Sequence, residues 1–330
     1  MSTAPAARPL PAPARAKRGP ALGGWFRRQF VQPEPVLAAV EVRSDSLGVL
    51  RLGREGGALT VAAATSVELP EGCLKLSMTE PNLEAPEVFR QRLRSALERA
   101  GVGPGRVALV LPDPLVRLTL LPPGEALPRG RDQRDELLRF RLRKSVPFEV
   151  REAQVACLQD RTGTGGTVVA AIFGPVLHGY EDLFRSLGLE PGLVQVSALA
   201  LLSAAPETDG QDWLLINWEP GYVTLALVRR GWPLLVRTLT GASTLDPREV
   251  SREVATTLLY HRERLGGSAL GQVLLRSGAH PAAEVVASLA EPLGFPPTLY
   301  DAWGRLRHGE LGPAGQALAG AAACLLGDRP

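Results

Sequence analysis

Residues Asp212–Gly241, DWLLINWEPGYVTLALVRRGWPLLVRTLTG, decide the fold, because they spell three strands joined by two tight turns. Leu214, Leu215 and Ile216 form an apolar run, and Val223, Leu225 and Leu227 alternate with smaller residues after Pro220-Gly221. The turn at Arg230-Gly231 leads into the third strand, Leu234 to Leu239. Such a meander, halfway along the chain, opens a second structural half.

Composition sets the limits around it. A chain of 330 residues with 45% hydrophobic content buries a large core, and its length suits two domains better than one. The formal charge of +3 is small, and arginines alternate with acidic residues, so nucleic-acid binding is not expected. Twenty-nine prolines and 35 glycines predict many short elements. Cys73, Cys157 and Cys324 are odd in number and far apart, which predicts reduced thiols in a cytosolic setting. The four histidines are equally scattered, so no metal site is expected.

No stretch reaches the roughly 20 apolar residues that span a bilayer; Leu193 to Ala205 and Ala314 to Leu326 are the longest candidates. Residues 1–20 are rich in Ala, Pro and Arg without an apolar signal region, and read as a disordered basic arm. An aromatic and basic patch follows, Gly24-Trp25-Phe26-Arg27-Arg28-Gln29-Phe30. It reads as a linker that docks on its own domain, with peripheral contact to an anionic membrane as the alternative.

Upstream of the meander, Val36–Val42, Leu47–Leu52 and Leu59–Leu69 read as strands. A helix starts near Pro86 and stops at Gly101, and the strand Val107–Leu111 follows. Strand Leu115–Leu121, helix Asp132–Lys144, a hairpin of Glu152–Gln159 and Gly166–Phe173 around Arg161-Thr162-Gly163-Thr164, and helix Leu177–Leu187 then read as an inserted module. Val196–Ala205 returns as a helix, and Pro206–Gly210 is a polar linker. Downstream, Asp246-Pro247-Arg248-Glu249 is a helix start with an N-cap Asp, Pro at the first position and a capping-box Glu. Strand Gln272–Leu275, helix Pro281–Leu289, strand Pro297–Tyr300 and an apolar closing helix Ala314–Leu326 complete the chain.

In this order the elements resemble the PilM family of type IV pilus assembly proteins, which is related to the cell-division protein FtsA. The resemblance covers roughly Trp25 to Gly327. It is carried most by Glu136-Leu137-Leu138-Arg139-Phe140 through Lys144-Ser145-Val146-Pro147-Phe148-Glu149, by the meander, and by the helix ending EVATTLLYHRER at Glu253–Arg264. It implies an α/β, actin-like (ribonuclease-H-like) two-domain fold with a small α+β module inserted in the first domain. The corresponding division is a basic arm and aromatic patch at 1–34 and a first subdomain at 35–111 and 190–208. The module takes 112–189, and a reduced second domain takes 209–330.

The nucleotide loops of that family match piecemeal. Val40 to Ser46 stands for the first phosphate loop: Glu41 keeps a carboxylate and Ser44, Asp45 and Ser46 the small polar positions. Arg43 replaces a glycine, and Gly48 stands where the family has a lysine. The second phosphate loop, normally Asp-x-Gly, reads Asn217-Trp218-Glu219 before Pro220-Gly221. A carboxylate 4 Å from a phosphate charge costs on the order of 4 kcal/mol at an effective dielectric of 20. The adenosine loop reads Arg276-Ser277-Gly278-Ala279 and keeps one glycine. A further helical subdomain of the family, inserted between Gly241 and Asp246, is absent from this sequence.

The residues left for a degenerate nucleotide cleft are therefore Glu41, Ser44, Asp45, Ser46, Asn217, Gly221, Ser277 and Gly278, with no catalytic residue and no metal ligand among them. The expectation is a non-catalytic cytoplasmic scaffold, held near the inner membrane by its partners. By the resemblance it binds the N-terminal cytoplasmic peptide of an inner-membrane PilN-like protein between its first subdomain and the inserted module, alongside other pilus assembly proteins. ATP and magnesium enter only if the cleft still closes on them. The alternatives are an ATP-switched actin-like ATPase that uses Glu41, and a cytoplasmic GspL-like component of type II secretion. The basic run Arg131, Arg134, Arg139, Arg141, Arg143 and Lys144 reads as a solvated helix face, with electrostatic contact to anionic lipid or an acidic partner as the alternative.

Overall fold

The computed structural model describes residues 36–160, 165–206, 210–241, 244, 246–311 and 314–327. The arm and aromatic patch, the hairpin turn Arg161–Thr164 and residues 207–209 of the linker lie outside them.

Strands β1 (Ala38–Val42), β2 (Ser46–Glu55) and β3 (Ala58–Glu68) form an antiparallel meander, and the helix Pro86–Ala100 leads to β4 (Gly105–Leu111), parallel to β1. That helix starts on proline, which lacks the amide hydrogen a first turn leaves unpaired, and ends on Gly101 at φ 62°. The inserted module follows: β5 (Val116–Leu121), the helix Arg131–Leu142, and the hairpin of β6 (Ala153–Gln159) and β7 (Thr167–Phe173). Its sheet has the order β5-β7-β6 and a core of its own around Leu138, Leu142, Val155 and Val169. After the helix Gly174–Arg185 the chain returns as β8 (Leu189–Val196), parallel to β4, and completes a five-stranded sheet in the order β3-β2-β1-β4-β8.

The second half repeats the pattern. β9 (Trp213–Glu219), β10 (Tyr222–Arg229) and β11 (Trp232–Thr240) form the meander read from the sequence, and β12 (Gln272–Ser277) and β13 (Thr298–Leu299) add in parallel, giving β11-β10-β9-β12-β13. Pro220 and Gly221, at φ 85°, occupy the central positions of the first turn; Arg230 and Gly231, both at positive φ, make the second. Two sheets of identical order, each a meander followed by parallel strands, are the duplicated architecture of the actin-like fold.

The second sheet is buried on both faces. Leu214, Ile216, Val223 and Leu225 pack under the helices Pro247–Arg264 and Ala282–Leu293, while Leu215, Ala226 and Leu274 join the core shared with the first half. That shared core is filled by the helix Ser197–Ala204 and the closing helix Ala319–Gly327, all nine of whose residues are buried. Both are built largely from Ala, Gly, Ser and Leu, and a Cβ on Gly327 would collide with Ser203, so small residues set how closely the two helices pass.

The structure departs from the sequence reading in four places. The run Leu189–Val196 is a strand despite Pro191 and Gly192; it lies at the sheet edge, where proline is tolerated, and its register shifts beside Val107. The helix Gly174–Arg185, grouped with the module by sequence, buries Val176, Tyr180, Leu183 and Phe184 in the core of the first sheet. The closing helix is two pieces, Ala314–Ala317 and Ala319–Gly327, and at the break the carbonyls of Gln316 and Ala317 accept from Arg276. Asp246 does cap its helix through the Arg248 amide, but Glu249 pairs with Arg252 instead of closing a capping box.

Candidate functional site: a closed cleft and an open groove

The three loops matched to a nucleotide site meet at the carboxyl ends of β1, β9 and β12, where an open α/β sheet places its ligands. Here they bind one another. Arg276, from the end of β12, is 0% exposed and lies 2.8 Å from Glu41 Oε1 and 3.0 Å from Glu219 Oε1. It also donates from Nη1 to Ser197 Oγ at 2.6 Å, and from Nε and Nη2 to the carbonyls of Gln316 and Ala317. Arg43 donates from Nε to Glu219 Oε2 at 2.6 Å, from Nη2 to the Gly278 carbonyl at 2.9 Å and from Nη1 to Ser46 Oγ at 3.1 Å. Two arginines and two glutamates thus form a neutral buried cluster drawn from both halves of the chain.

Hydrogen bonds extend the cluster. Glu41 Oε2 accepts from the Ala321 amide at 2.7 Å, tying β1 to the closing helix. Asn217 Nδ2 donates to Asp113 Oδ2 at 2.8 Å and to Ser197 Oγ at 3.2 Å, while Asp113 Oδ1 accepts the Ala198 amide at the start of the Ser197–Ala204 helix. Burial raises the Asp113 carboxyl against the pull of these bonds, and burial likewise raises that of Glu41 although Arg276 works the other way. For Arg276 burial opposes the charge, but Glu219 and Glu41 outweigh it and the guanidinium stays ionised.

The candidate residues fall as follows. Glu41, Ser46 and Asn217 are buried inside the cluster. Ser44 donates to the Pro220 carbonyl at 2.7 Å, joining the first loop directly to the second. Ser277 donates to the His280 carbonyl within its own loop, and Gly278 is needed because a Cβ would stand 2.6 Å from Glu219 Oε1 and 2.8 Å from Arg43 Nη2. Gly221 serves its turn, and Asp45, with a side chain 52% exposed, faces solvent. Gly48, where the resemblance expected a lysine, has no room for one: the Leu318 side chain occupies the place of a Cβ. Trp218 is fully buried and donates from its indole to the Thr244 carbonyl at 2.9 Å, which places Thr244 against the second loop.

Sequence reasoning missed Arg276 as a cation at the centre, together with Asp113 and Ser197. The one available signal for Asp113 was a carboxylate immediately beyond a central parallel strand, in Pro112-Asp113-Pro114. The residues present do not fit a nucleoside triphosphate. The two loops that would enclose the phosphates are hydrogen-bonded to each other, and the cations that would meet phosphate are already neutralised by buried glutamates.

A second feature lies on the other side of β4. Between the first sheet and the inserted module runs a groove enclosing about 90 Å³, with Leu111, Val194 and Leu199 on one wall and Val155, Ala170 and Ile172 on the other. Strands β8 and β6, each an edge of its sheet, both contribute to it. Arg131 and Glu181 are its charged members; Arg131 lies 3.7 Å from Asp135, and Glu181 accepts from Arg185. On the adjoining helix, Arg134 lies beside Asp135, Arg141 beside Glu125, and Arg139 donates to the Ala153 carbonyl, leaving Phe140 70% exposed. Among the described residues no helix is long and apolar enough to cross a membrane.

No protein-family model and no curated protein matches the sequence. Among solved structures the chain is similar to one described as the PilM-PilN type IV pilus biogenesis complex, with 19% identity and a TM-score of 0.74 over 90% of this chain and 100% of that one. It is also similar to a Bacteroides thetaiotaomicron protein with an actin-like ATPase fold and unknown function, at 9% identity and TM-score 0.50 over 87% and 94% of the two chains. The cytoplasmic domain of EpsL, an inner membrane component of the type II secretion system of Vibrio cholerae, aligns at 14% identity and TM-score 0.47 over 87% and 93%. The first two likenesses show the actin-like fold, and at its TM-score the third adds no argument about function.

Proposed function

We propose that this chain is a non-catalytic, PilM-like scaffold of a type IV pilus assembly complex, working in the cytoplasm and held at the inner membrane by its partners. In this reading the groove between the first sheet and the inserted module receives the cytoplasmic N-terminal peptide of a PilN-like protein. The fold-level likeness to the PilM-PilN structure motivates the partner. The observation that carries the reading is the contrast between the two sites: the cleft is filled by the Arg43–Glu219–Arg276–Glu41 cluster, whereas the groove remains open between two edge strands.

ATP hydrolysis has no support in that cleft, because a bound triphosphate would have to break two buried ion pairs and add about four negative charges beside Glu41 and Glu219. Two titrations of the full chain test the reading. A synthetic peptide from the N-terminus of the PilN-like protein of the same organism is expected to bind, and Mg-ATP is expected to give no calorimetric signal at millimolar concentration. Saturable Mg-ATP binding, or a folded chain that ignores the peptide, overturns it.

A further inference from the structure

The basic run of the inserted module divides in two when its contacts are followed. Arg131, Arg134 and Arg141 lie beside carboxylates, and Arg139 donates to the Ala153 carbonyl. Arg143 and Lys144 are exposed, and neither side chain has an ion pair or hydrogen bond among the described residues. Between these two sets stands Phe140. On the helix Arg131–Leu142, Leu138 and Leu142 are buried in the module's core, so at about 100° per residue Phe140 points the opposite way. It is 70% exposed, against 46% for Tyr260, the next most exposed large apolar side chain among the described residues. Arg143 keeps the right-handed helical conformation and bonds its amide to the Phe140 carbonyl, so the two free cations, three and four residues on, flank the ring on its open side. Glu136 lies one turn before Phe140, but from Arg139 to Phe148 there is no acidic residue.

We infer that this face binds an anionic bilayer surface directly, with Phe140 entering the headgroup boundary and Arg143 and Lys144 meeting lipid phosphates. Charge and shape choose the occupant. An aromatic ring that stands out from a helix needs, in a protein partner, a pocket shaped to receive it, whereas a headgroup boundary accepts the ring as it is and presents negative charge to the cations beside it. The chain's own first 30 residues are no rival for the face, because they carry Arg8, Arg15, Lys17, Arg18, Arg27 and Arg28 and no acidic residue. Charge of the same sign is repelled by the patch and adds to the attraction of a bilayer. One aromatic and two cations make a weak, reversible contact, which orients the chain at the surface and does not anchor it. The inference goes beyond the scaffold reading above, which holds the chain at the membrane through partners alone: it gives the inserted module a lipid contact of its own.

The test uses the full chain without any peptide and reads co-sedimentation with phosphatidylcholine vesicles carrying about 30% phosphatidylglycerol, at about 0.1 M salt. The wild type is expected to bind them, to be released at about 0.5 M salt and to ignore pure phosphatidylcholine. Phe140→Ser is expected to lower the partition coefficient about tenfold and Phe140→Trp to keep or raise it. Arg143→Gln combined with Lys144→Gln is expected to lower it about 25-fold, at roughly fivefold per cation. The three positions are exposed, so unchanged melting temperatures serve as the folding control. No binding overturns the inference, and so does binding that Phe140→Ser and the double variant leave within about twofold of wild type, which assigns the contact to the arm. It is also overturned if the wild type ignores vesicles but binds poly-glutamate, the mark of an acidic protein partner, or if light scattering shows a dimer that Phe140→Ser dissociates, the mark of a second copy. A failure here leaves the groove reading standing, and a failure of the peptide titration leaves this inference standing, because the two measurements share no ligand.

Discussion

Replacing Arg276 by methionine tests whether the cleft is held shut by charge. The substitution keeps length and removes a guanidinium that faces two carboxylates at 2.8 and 3.0 Å and also supplies donors to Ser197, Gln316 and Ala317. At about 3 Å and an effective dielectric of 20, each ion pair is worth roughly 5 kcal/mol before desolvation. Most of that is cancelled by the cost of burying the ions, and removing one partner of a buried pair costs about 3–5 kcal/mol net, because the other charge remains. We expect a loss of about 4 kcal/mol by urea titration, or roughly 10 °C in Tm at about 2–3 °C per kcal/mol for a chain of this size. The loss should depend on pH in a defined sense. Without Arg276, the Glu41 carboxyl rises further above its ordinary 4.5. A carboxyl raised on folding contributes stability in acid that is lost as pH climbs through its folded-state value, so the deficit at pH 8 should exceed that at pH 5. Adding Glu41→Gln returns the cluster to the neutral Arg43–Glu219 pair and should recover about 2 kcal/mol, with the Ala321 amide still bonded. A single variant within 2 °C of wild type at pH 8, or a double variant no more stable than the single, would refute the electrostatic account.

Other substitutions probe the same packing. Gly278→Ala forces a methyl against Glu219 and Arg43 and is expected to cost about 1–3 kcal/mol by denaturant titration, although the residue lies in a loop. Gly48→Lys, which restores the lysine of the nucleotide-binding pattern, must displace Leu318 and is expected to lower Tm without creating Mg-ATP binding in calorimetry. Asp212 accepts from Arg229 and His261, and its carboxyl lies below the ordinary 3.8 chiefly through Arg229. Since a carboxyl depressed on folding stabilises above its unfolded value, the stability gap between wild type and Asp212→Asn should be full above pH 3.8 and shrink below it, as followed by melts from pH 2 to 6.

The parts of the fold that were legible in the sequence are those whose signals are local. Pro220-Gly221, Arg230-Gly231, Gly101 and the capped start at Asp246 each mark a turn or a helix end through the conformational preference of one or two residues, and all occur where read. The strand Leu189–Val196 was hidden because Pro191 and Gly192 are loop signals unless the strand is known to be an edge, which only the assembled sheet reveals. The same limit governed the cleft. Arg43 and Glu219 were legible as misfits for phosphate, but they are 176 residues apart, and nothing local says that each misfit neutralises the other. Arg276 was still harder to place, since its partners Glu41 and Glu219 belong to the two separate meanders.

The four charges that close the cleft also bear on the order of events in folding. Glu41 and Arg43 arrive with the first meander, Glu219 with the second and Arg276 only with β12, so the cluster cannot exist until both halves have built their sheets and met. Because closing so long a loop costs entropy before the contact rewards it, we expect these pairs to form after the local meanders. Weakening them should therefore leave the refolding rate nearly unchanged and appear as faster unfolding. The buried arginines would then act as a latch on the finished molecule, setting how long the two halves stay together once joined.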